Sequence, residues 1–357
     1  MSLIYYEVLL AIIGCSIIAE KNPKALLSRS GAFSIRPDPG MALILSGVLT
    51  LVSGLRYRVG TDFMSYYYWR AADWSSVWRN ILSFNEGGFS LLTGLSRMIW
   101  NDGQSLILFS AIITVGLYCW TIYRRSSTYL LSMLLYLFLG QWQGSFNGVR
   151  QYLAAAILFS GYRFILEKKY LQYSLIVLTA SLFHKSAIVM VLPCFLFSRT
   201  PDLKQIAFLA FGSIILALSY DTIFRIIGAA KGKTMVLEEG TYRTNDVNPF
   251  RILITFIPVL IYIVLCDKEH HTKEQDFYIN AIFYNAFAML ASIGSTYLAR
   301  IGIYTNSLLI LGYGSLFQLI RDDKSKRVTV MLVLVIYIIF WIYSVQAGGI
   351  SSFQFYI

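Results

Sequence analysis

The side chains able to do chemistry in this 357-residue chain gather where its apolar sequence breaks. The stretch RYRVGTDFMSYYYWR, from Arg56 to Arg70, holds three arginines, an aspartate (Asp62) and six aromatics, Tyr67 among them, directly after the apolar run MALILSGVLTLVSG. Farther on, Glu86 stands in FNEGGF, Arg150 and Gln151 in FNGVRQYLAA, His184 and Lys185 in SLFHKSA, and Arg300 with Tyr304 in YLARIGIYT. Arginine grips phosphate or carboxylate with a planar fork and stays charged in a low-dielectric site, so Arg56, Arg58, Arg150 and Arg300 imply a bound anion. An Arg or Asp at the centre of a membrane span costs roughly 2.5–3.5 kcal/mol on insertion scales, so such groups should line a watery cavity and be paired.

The elements that must position these residues are membrane helices. Hydrophobic residues make up 57% of the chain and charged ones 14%, and mean hydropathy is +0.60. No soluble packing hides that much apolar surface. The apolar segments have the length a helix needs to cross about 30 Å of hydrocarbon, and no alternating barrel pattern appears. The expectation is an all-α polytopic integral membrane protein, 1–357 as a single transmembrane domain. Twelve spans are predicted near 4–19, 41–55, 104–123, 128–145, 150–166, 171–184, 186–198, 205–222, 251–266, 277–294, 300–320 and 328–346. The half-polar segment 81–100, with Gly87, Gly88 and Gly94, is predicted to be re-entrant or interfacial within an outer loop 56–103; a second outer loop covers 223–250. The first span has no basic region before it and is expected to be retained rather than cleaved.

With that arrangement six short basic connections fall on one side, which should be cytoplasmic, leaving both termini outside. Lysine divides nine inside to three outside, whereas arginine divides seven inside to ten outside. Lysine marks the topology, and the outer arginines need another reason: an anion at the outer face. Five segments distant in sequence bring ionisable groups to that face.

Each group also has a plainer reading. Arg56 and Arg58 could snorkel to headgroups, Asp62 could pair with Arg58 one turn away, His184 could be a packing histidine, and Arg150 could cap its helix with Asn147. The aromatics between Tyr57 and Trp78 suit either an interfacial belt or a stacking floor for sugar rings. Other apparent motifs lead nowhere. GAAKGKT, Gly228 to Thr234, is one residue short of a phosphate-binding loop and has no strand before it. His270 and His271 read as a polar turn, and Cys15, Cys119, Cys194 and Cys266 stand singly as small core residues.

The blocks RYRVGTDF, FNEGGFSLLTGL, NGVRQYLAAAI, FHKSAIV and ARIGIYTNSLLI occur here in that order, and they resemble the successive signature blocks of the EpsG family. These are polytopic proteins of bacterial exopolysaccharide and O-antigen clusters, similar to Wzy-type polymerases. The resemblance runs from about Arg56 to Leu309 and implies a GT-C-like membrane glycosyltransferase of the bacterial inner membrane with its site facing the periplasm or exterior. Its implied substrate is an oligosaccharide repeat on undecaprenyl pyrophosphate. The chain would leave its carrier when a hydroxyl of the next unit attacks the reducing-end carbon.

In that reaction Arg56, Arg58, Arg150 and Arg300 would neutralise the pyrophosphate, and Gln151, Lys185, Tyr304 and Tyr67 would contact substrate. Asp62, Glu86 and His184 are the groups near these blocks able to deprotonate a hydroxyl. Glu86 ranks slightly ahead of His184, because partial burial should raise its pKa toward working pH, and Asp62 is expected to orient Arg58 or the acceptor. No cofactor or metal is implied, and no nucleic acid; membrane lipid and a chain-length regulator protein are the implied partners. An O-antigen ligase would use nearly the same site. A flippase for the same lipid-linked sugars would want charges near the midplane of internally repeated halves, and no repeat is evident. A membrane O-acetyltransferase would draw its cofactor from the cytoplasm, opposite to the polar cluster.

Overall fold

The computed structural model describes residues 1–27, 33–69, 74–83, 85–197, 200–230 and 247–356. The chain is 76% helical and divides into two compact units, residues 1–194 with 334–357, and residues 195–333. In the first unit α1 (Leu3–Lys21) is followed by a small antiparallel hairpin, β1 (Lys24–Leu27) and β2 (Phe33–Arg36), then α2 (Pro39–Gly54), α3 (Phe63–Tyr67), α4 (Trp74–Leu82) and α5 (Gly87–Ile99). Next come α6 (Gly103–Arg125), α7 (Tyr129–Phe138), α8 (Gln141–Gly144), α9 (Val149–Gly161), α10 (Arg163–Leu166), α11 (Tyr170–Ser181), a 3-10 helix at Lys185–Val191, and α12 (Pro193–Leu196). The second unit holds α13 (Leu203–Ala230), α14 (Pro249–Leu265), α15 (Lys273–Ala291), α16 (Thr296–Ala299) and α17 (Gly302–Gln318). Finally α18 (Asp323–Ala347) starts in the second unit and finishes in the first.

Helix starts follow from local sequence. Asp38 caps α2 by accepting from the Met41 N–H at 2.9 Å, with Pro39 in the first turn where its missing N–H costs nothing. Asp102 caps α6 through Gln104, and Thr272 with Gln275 forms a reciprocal capping box on α15. Among the described residues, α1, α6 and α18 are long and apolar enough to cross a membrane, and several shorter helices are apolar as well. Their outward faces agree: Leu10, Leu43, Leu218 and Val264 are 68%, 74%, 83% and 73% exposed. Large apolar side chains exposed along whole helix faces need lipid rather than water around them. Inside, Tyr5 packs edge-on against Trp142 and Trp341, and the Trp142 indole N–H donates to the Leu49 carbonyl at 3.2 Å.

The first unit has two distinct ends. At one, the chain termini meet the α2 exit: Ser2 N–H donates to the Ser351 carbonyl, Tyr57 N–H to Gln354 and Tyr356 N–H to Leu55, at 2.8, 2.8 and 2.7 Å. At the other, Asp38 N–H donates to the Ala19 carbonyl at 2.9 Å and Leu130 N–H to the Glu20 carboxylate at 3.0 Å. Lys21, Lys24, Arg124 and Arg125 sit in or beside the loops of this second end. Near this first end the Gly88 N–H bonds the Leu182 carbonyl beside His184, and Gly103 lies against Tyr67. Helix α5, within the segment 81–100, has 13 residues, about 20 Å at 1.5 Å per residue and short of a crossing.

Three predicted spans are less regular than expected. The span 128–145 breaks after α7 at Gly140, whose φ of +79° is left-handed, and resumes only as the single turn α8. The span 150–166 is α9 followed by the separate turn α10. The span 186–198 is not a continuous α-helix: the 3-10 helix Lys185–Val191 gives way to one turn, α12. Pro193 stands at the junction as the first residue of α12, where its missing N–H interrupts the hydrogen-bond ladder, while Leu192 before it keeps helical angles (φ −60°, ψ −39°). In the other direction, α13 continues to Ala230, past its expected end at 222, and residues 231–246 of the expected outer loop 223–250 lie outside the described residues.

Candidate functional site

Two adjacent glycines position the central carboxylate. The N–H groups of Gly88 and Phe89, in the first turn of α5, both donate to the Leu182 carbonyl at the end of α11, at 3.0 and 3.4 Å. A Cβ on Gly88 would meet the Leu182 oxygen at 3.1 Å, and one on Gly87 would meet the backbone nitrogen of Ile81 in α4 at 2.4 Å. Only glycine permits this approach. Glu86, just ahead of the pair, is held at a φ of +55°, a left-handed conformation that a non-glycine residue keeps only when its surroundings over-determine it. Gly87→Ala should therefore force α4 and α5 apart, cost about 1–3 kcal/mol of stability by overpacking and pull Glu86 off its partners. Thermal unfolding and turnover of the purified variant check this, and wild-type values in both would refute it.

The docking delivers Glu86 to His184 and Arg150. Glu86 Oε1 lies 2.9 Å from His184 Nδ1 and accepts from the Lys185 backbone N–H at 3.2 Å. Its other oxygen, Oε2, pairs with Arg150 Nη1. The three side chains are 15% (Glu86), 24% (His184) and 28% (Arg150) exposed, so the cluster is sheltered but reachable. The Arg150 guanidinium sits over the Trp69 ring at 4.8 Å and the Phe89 ring at 6.0 Å, a cation–π arrangement that fixes its plane.

Burial alone would push the Glu86 carboxyl up. The hydrogen bond to His184, the Arg150 charge and the Lys185 N–H outweigh it, and the net displacement is downward. This corrects the expected upward shift: partial burial is present, but three groups favour the charged form. Glu86 is thus an ionised anchor in contact with Nδ1 of His184. Among the described residues Nε2 has no hydrogen-bond partner.

Other expected site residues are distributed as follows. Arg58 and Asp62 are exposed at the same end as the chain termini. They form no ion pair, because the segment is not helical: Arg58 has a φ of +54° and Gly60 of +101°. Asp62 accepts from Thr61 at 3.3 Å, while Arg58 lies over the Tyr57 ring at 5.3 Å. The expectation that Asp62 orients Arg58 is not met. Arg56 is buried, its guanidinium bonded to the Ser53 and Phe146 carbonyls. Gln151 is buried in α9 and Lys185 is exposed. Arg150 does not share a cap with Asn147, whose amide instead donates to the Gly348 carbonyl at 3.0 Å. Arg300, exposed, and Tyr304, buried in α17, belong to the second unit.

The aromatic residues around the site are partly expected ones, Tyr67 among them, and partly not. Tyr67 donates to Asp102 at 3.2 Å, and burial together with that carboxylate pushes its phenol up to about 12, so it remains a hydrogen-bond donor. Tyr57, Tyr67 and Tyr356 form one aromatic group, with ring centroids 6.1 and 5.7 Å from Tyr57. Trp69, which orders Arg150, was legible only as one of many aromatics. In the second unit the His270–His271 pair belongs to a turn, where His271 Nδ1 lies 3.1 Å from Asp276 and Nε2 2.7 Å from the Asp267 carbonyl oxygen.

No significant match to this chain is found among curated proteins or solved structures. The sequence model of the EpsG family matches residues 41–356, nearly the whole chain, and takes in every residue of the Glu86–Arg150–His184 cluster. A family associated with Wzy-type polymerases, an apolar helical fold and a sheltered cluster of arginine, carboxylate and imidazole fit together, and the chain belongs to the EpsG family.

Proposed function

We propose that this chain is a polymerase that joins oligosaccharide repeat units carried on undecaprenyl pyrophosphate, working at the outer face of the bacterial inner membrane. The proposed architecture is a single GT-C-like transmembrane domain of about twelve spans with a re-entrant segment at 81–100. EpsG membership supports a polymerase-type glycosyltransferase in general terms. The observation that carries the finer reading is the Glu86–His184–Arg150 cluster at the end of the first unit that bears both chain termini.

In the proposed step, an acceptor sugar hydroxyl attacks the anomeric carbon of the lipid-linked chain. The new C–O bond forms as the bond from that carbon to pyrophosphate breaks, and the hydroxyl proton passes to Nε2 of His184. Glu86 holds the imidazole in the receptive tautomer and stabilises the imidazolium that results. Arg150 and the exposed Arg58 would stabilise the charge that develops on the departing lipid pyrophosphate. Tyr67 and Lys185 are proposed substrate contacts. A single displacement inverts the anomeric centre. Purified protein supplied with a lipid-linked repeat should yield inverted linkages by NMR; retained configuration would refute the step.

Two further results are expected. With the native cysteines removed, a cysteine at Ser75 should label with an impermeant reagent in intact spheroplasts and one at Ser325 should not; the reverse pattern would put the cluster on the wrong side. Polymerisation should also withstand EDTA, because arginines supply the positive charge and no group of three His, Cys, Asp or Glu among the described residues could hold a metal ion. Abolition by chelation with rescue by magnesium would contradict this.

A further inference from the structure

A positive charge lies buried in the first unit with no negative charge to balance it. Arg56 is 2% exposed, and its guanidinium donates only to two neutral acceptors, the carbonyls of Ser53 and Phe146, the latter at 3.5 Å. The guanidinium stacks on Phe146 at 4.8 Å, and the polar groups that act on it are the phenols of Tyr5 and Tyr66. Its Nε has no partner among the described residues. A buried guanidinium is stable only when its charge is met, and carbonyl dipoles meet it in part.

Beside it lies a cavity of about 10 Å³, whose polar lining is Arg56, Ser53, Ser110, Thr114 and Ser145 and whose remaining wall is Ile107, Ala111 and Val149. That is room for roughly one water-sized occupant. The hydroxyl oxygens of Ser53 and Ser110, 1% and 2% exposed, have no hydrogen-bond partner either. The cavity therefore gathers groups that can all donate a hydrogen bond: one guanidinium N–H and two free hydroxyls. No carboxylate lines it. Water would fit by size, but it would leave the charge unbalanced. Sulfate and phosphate, with five heavy atoms each, are too large.

From this geometry we infer that the cavity is a binding site for a single halide-sized monovalent anion, chloride being the abundant one. The ion accepts from Arg56, Ser53 and Ser110, and so ties the end of α2 to α6. This site does not depend on the reaction proposed above. Its occupant is a resident counter-ion, and it is distinct from the lipid pyrophosphate.

The test uses the purified full-length protein in detergent, with chloride titrated against gluconate at constant ionic strength. The melting temperature should rise with the logarithm of chloride concentration above the dissociation constant, and bromide should reproduce the effect while sulfate should not. Ser110→Ala should weaken the apparent chloride affinity about 10-fold, as expected for one lost hydrogen bond to a charged partner. Arg56→Met, if it folds, should abolish the chloride response. Crystals grown with bromide should give an anomalous peak between Arg56 and Ser110. Equal melting temperatures in every anion, an unchanged chloride response in Ser110→Ala, or a cavity with no anomalous peak and water alone would overturn the proposal.

Discussion

His184→Ala should lower polymerisation by about 10²- to 10⁴-fold at matched expression, the span typical for loss of a positioned general base. The expectation rests on which nitrogen is engaged: Nδ1 lies 2.9 Å from Glu86, so Nε2 is the nitrogen that the proposed step uses as proton acceptor. Glu86→Gln should also fall sharply, since an amide neither holds the imidazole tautomer nor balances the imidazolium, and replacing the orienting carboxylate of a histidine can cost up to about 10⁴ in rate. Both losses should appear in kcat, with KM little changed. A pH dependence separates the roles. The folded-state pKa of Glu86 is depressed, so the stabilisation from its ion pairs is fully present above its unfolded value, about 4.3 for a glutamate, and is lost as pH falls through the lower folded value. Between pH 6 and pH 8 Glu86 therefore stays ionised, and Glu86→Gln should lose activity throughout that window. Near-normal turnover of Glu86→Gln would remove it from the mechanism, and near-normal turnover of His184→Ala would remove the base.

Arg150→Lys should cost about 10²- to 10³-fold, the range seen when one preorganised donor to developing charge is lost. Lysine keeps the charge but loses the planar fork that reaches Glu86 while lying flat on Trp69. If Arg150 merely snorkelled, lysine would serve as well, because lysine snorkels equally. Arg58→Lys should lose less, because Arg58 is exposed over Tyr57 and has no carboxylate partner among the described residues to fix its fork. Equal, small losses at both positions would reduce Arg150 to a structural ion pair.

How much of this was legible in the sequence depended on the range of the interaction. Apolar length foretold helices, because that signal is local; the re-entrant reading of 81–100 rested instead on the side to which the basic loops of the whole chain were assigned. The proximity of Glu86, Arg150 and His184 was suggested only by sidedness; their contact depends on Gly87 and Gly88 letting α5 reach Leu182, about a hundred residues away. The wrong pKa direction for Glu86 has the same origin, since burial could be guessed from sequence while His184 Nδ1 and the Lys185 N–H could not. Asp62 misled because spacing of four implies a helix, and the positive φ of Arg58 and Gly60 denies one. Tyr356 gave no signal: its place beside Tyr57 follows from the pairing of Leu55 and Tyr57 with the last residues of the chain. The span at 186–198 was read from apolar composition alone, and Pro193 at its break carries the local signal that composition does not register.

The central claim, that the Glu86–His184–Arg150 cluster polymerises lipid-linked repeats, is tested most directly by deleting the gene in its host, restoring it as wild type or as His184→Ala, and resolving the surface glycan on a gel. The account predicts single-repeat products in the deletion strain, a full ladder with wild type, and single repeats again with the variant present in the membrane at wild-type level. A surface without any repeat in the deletion strain would indicate a flippase or ligase, and a full ladder restored by the variant would contradict the assignment of the site.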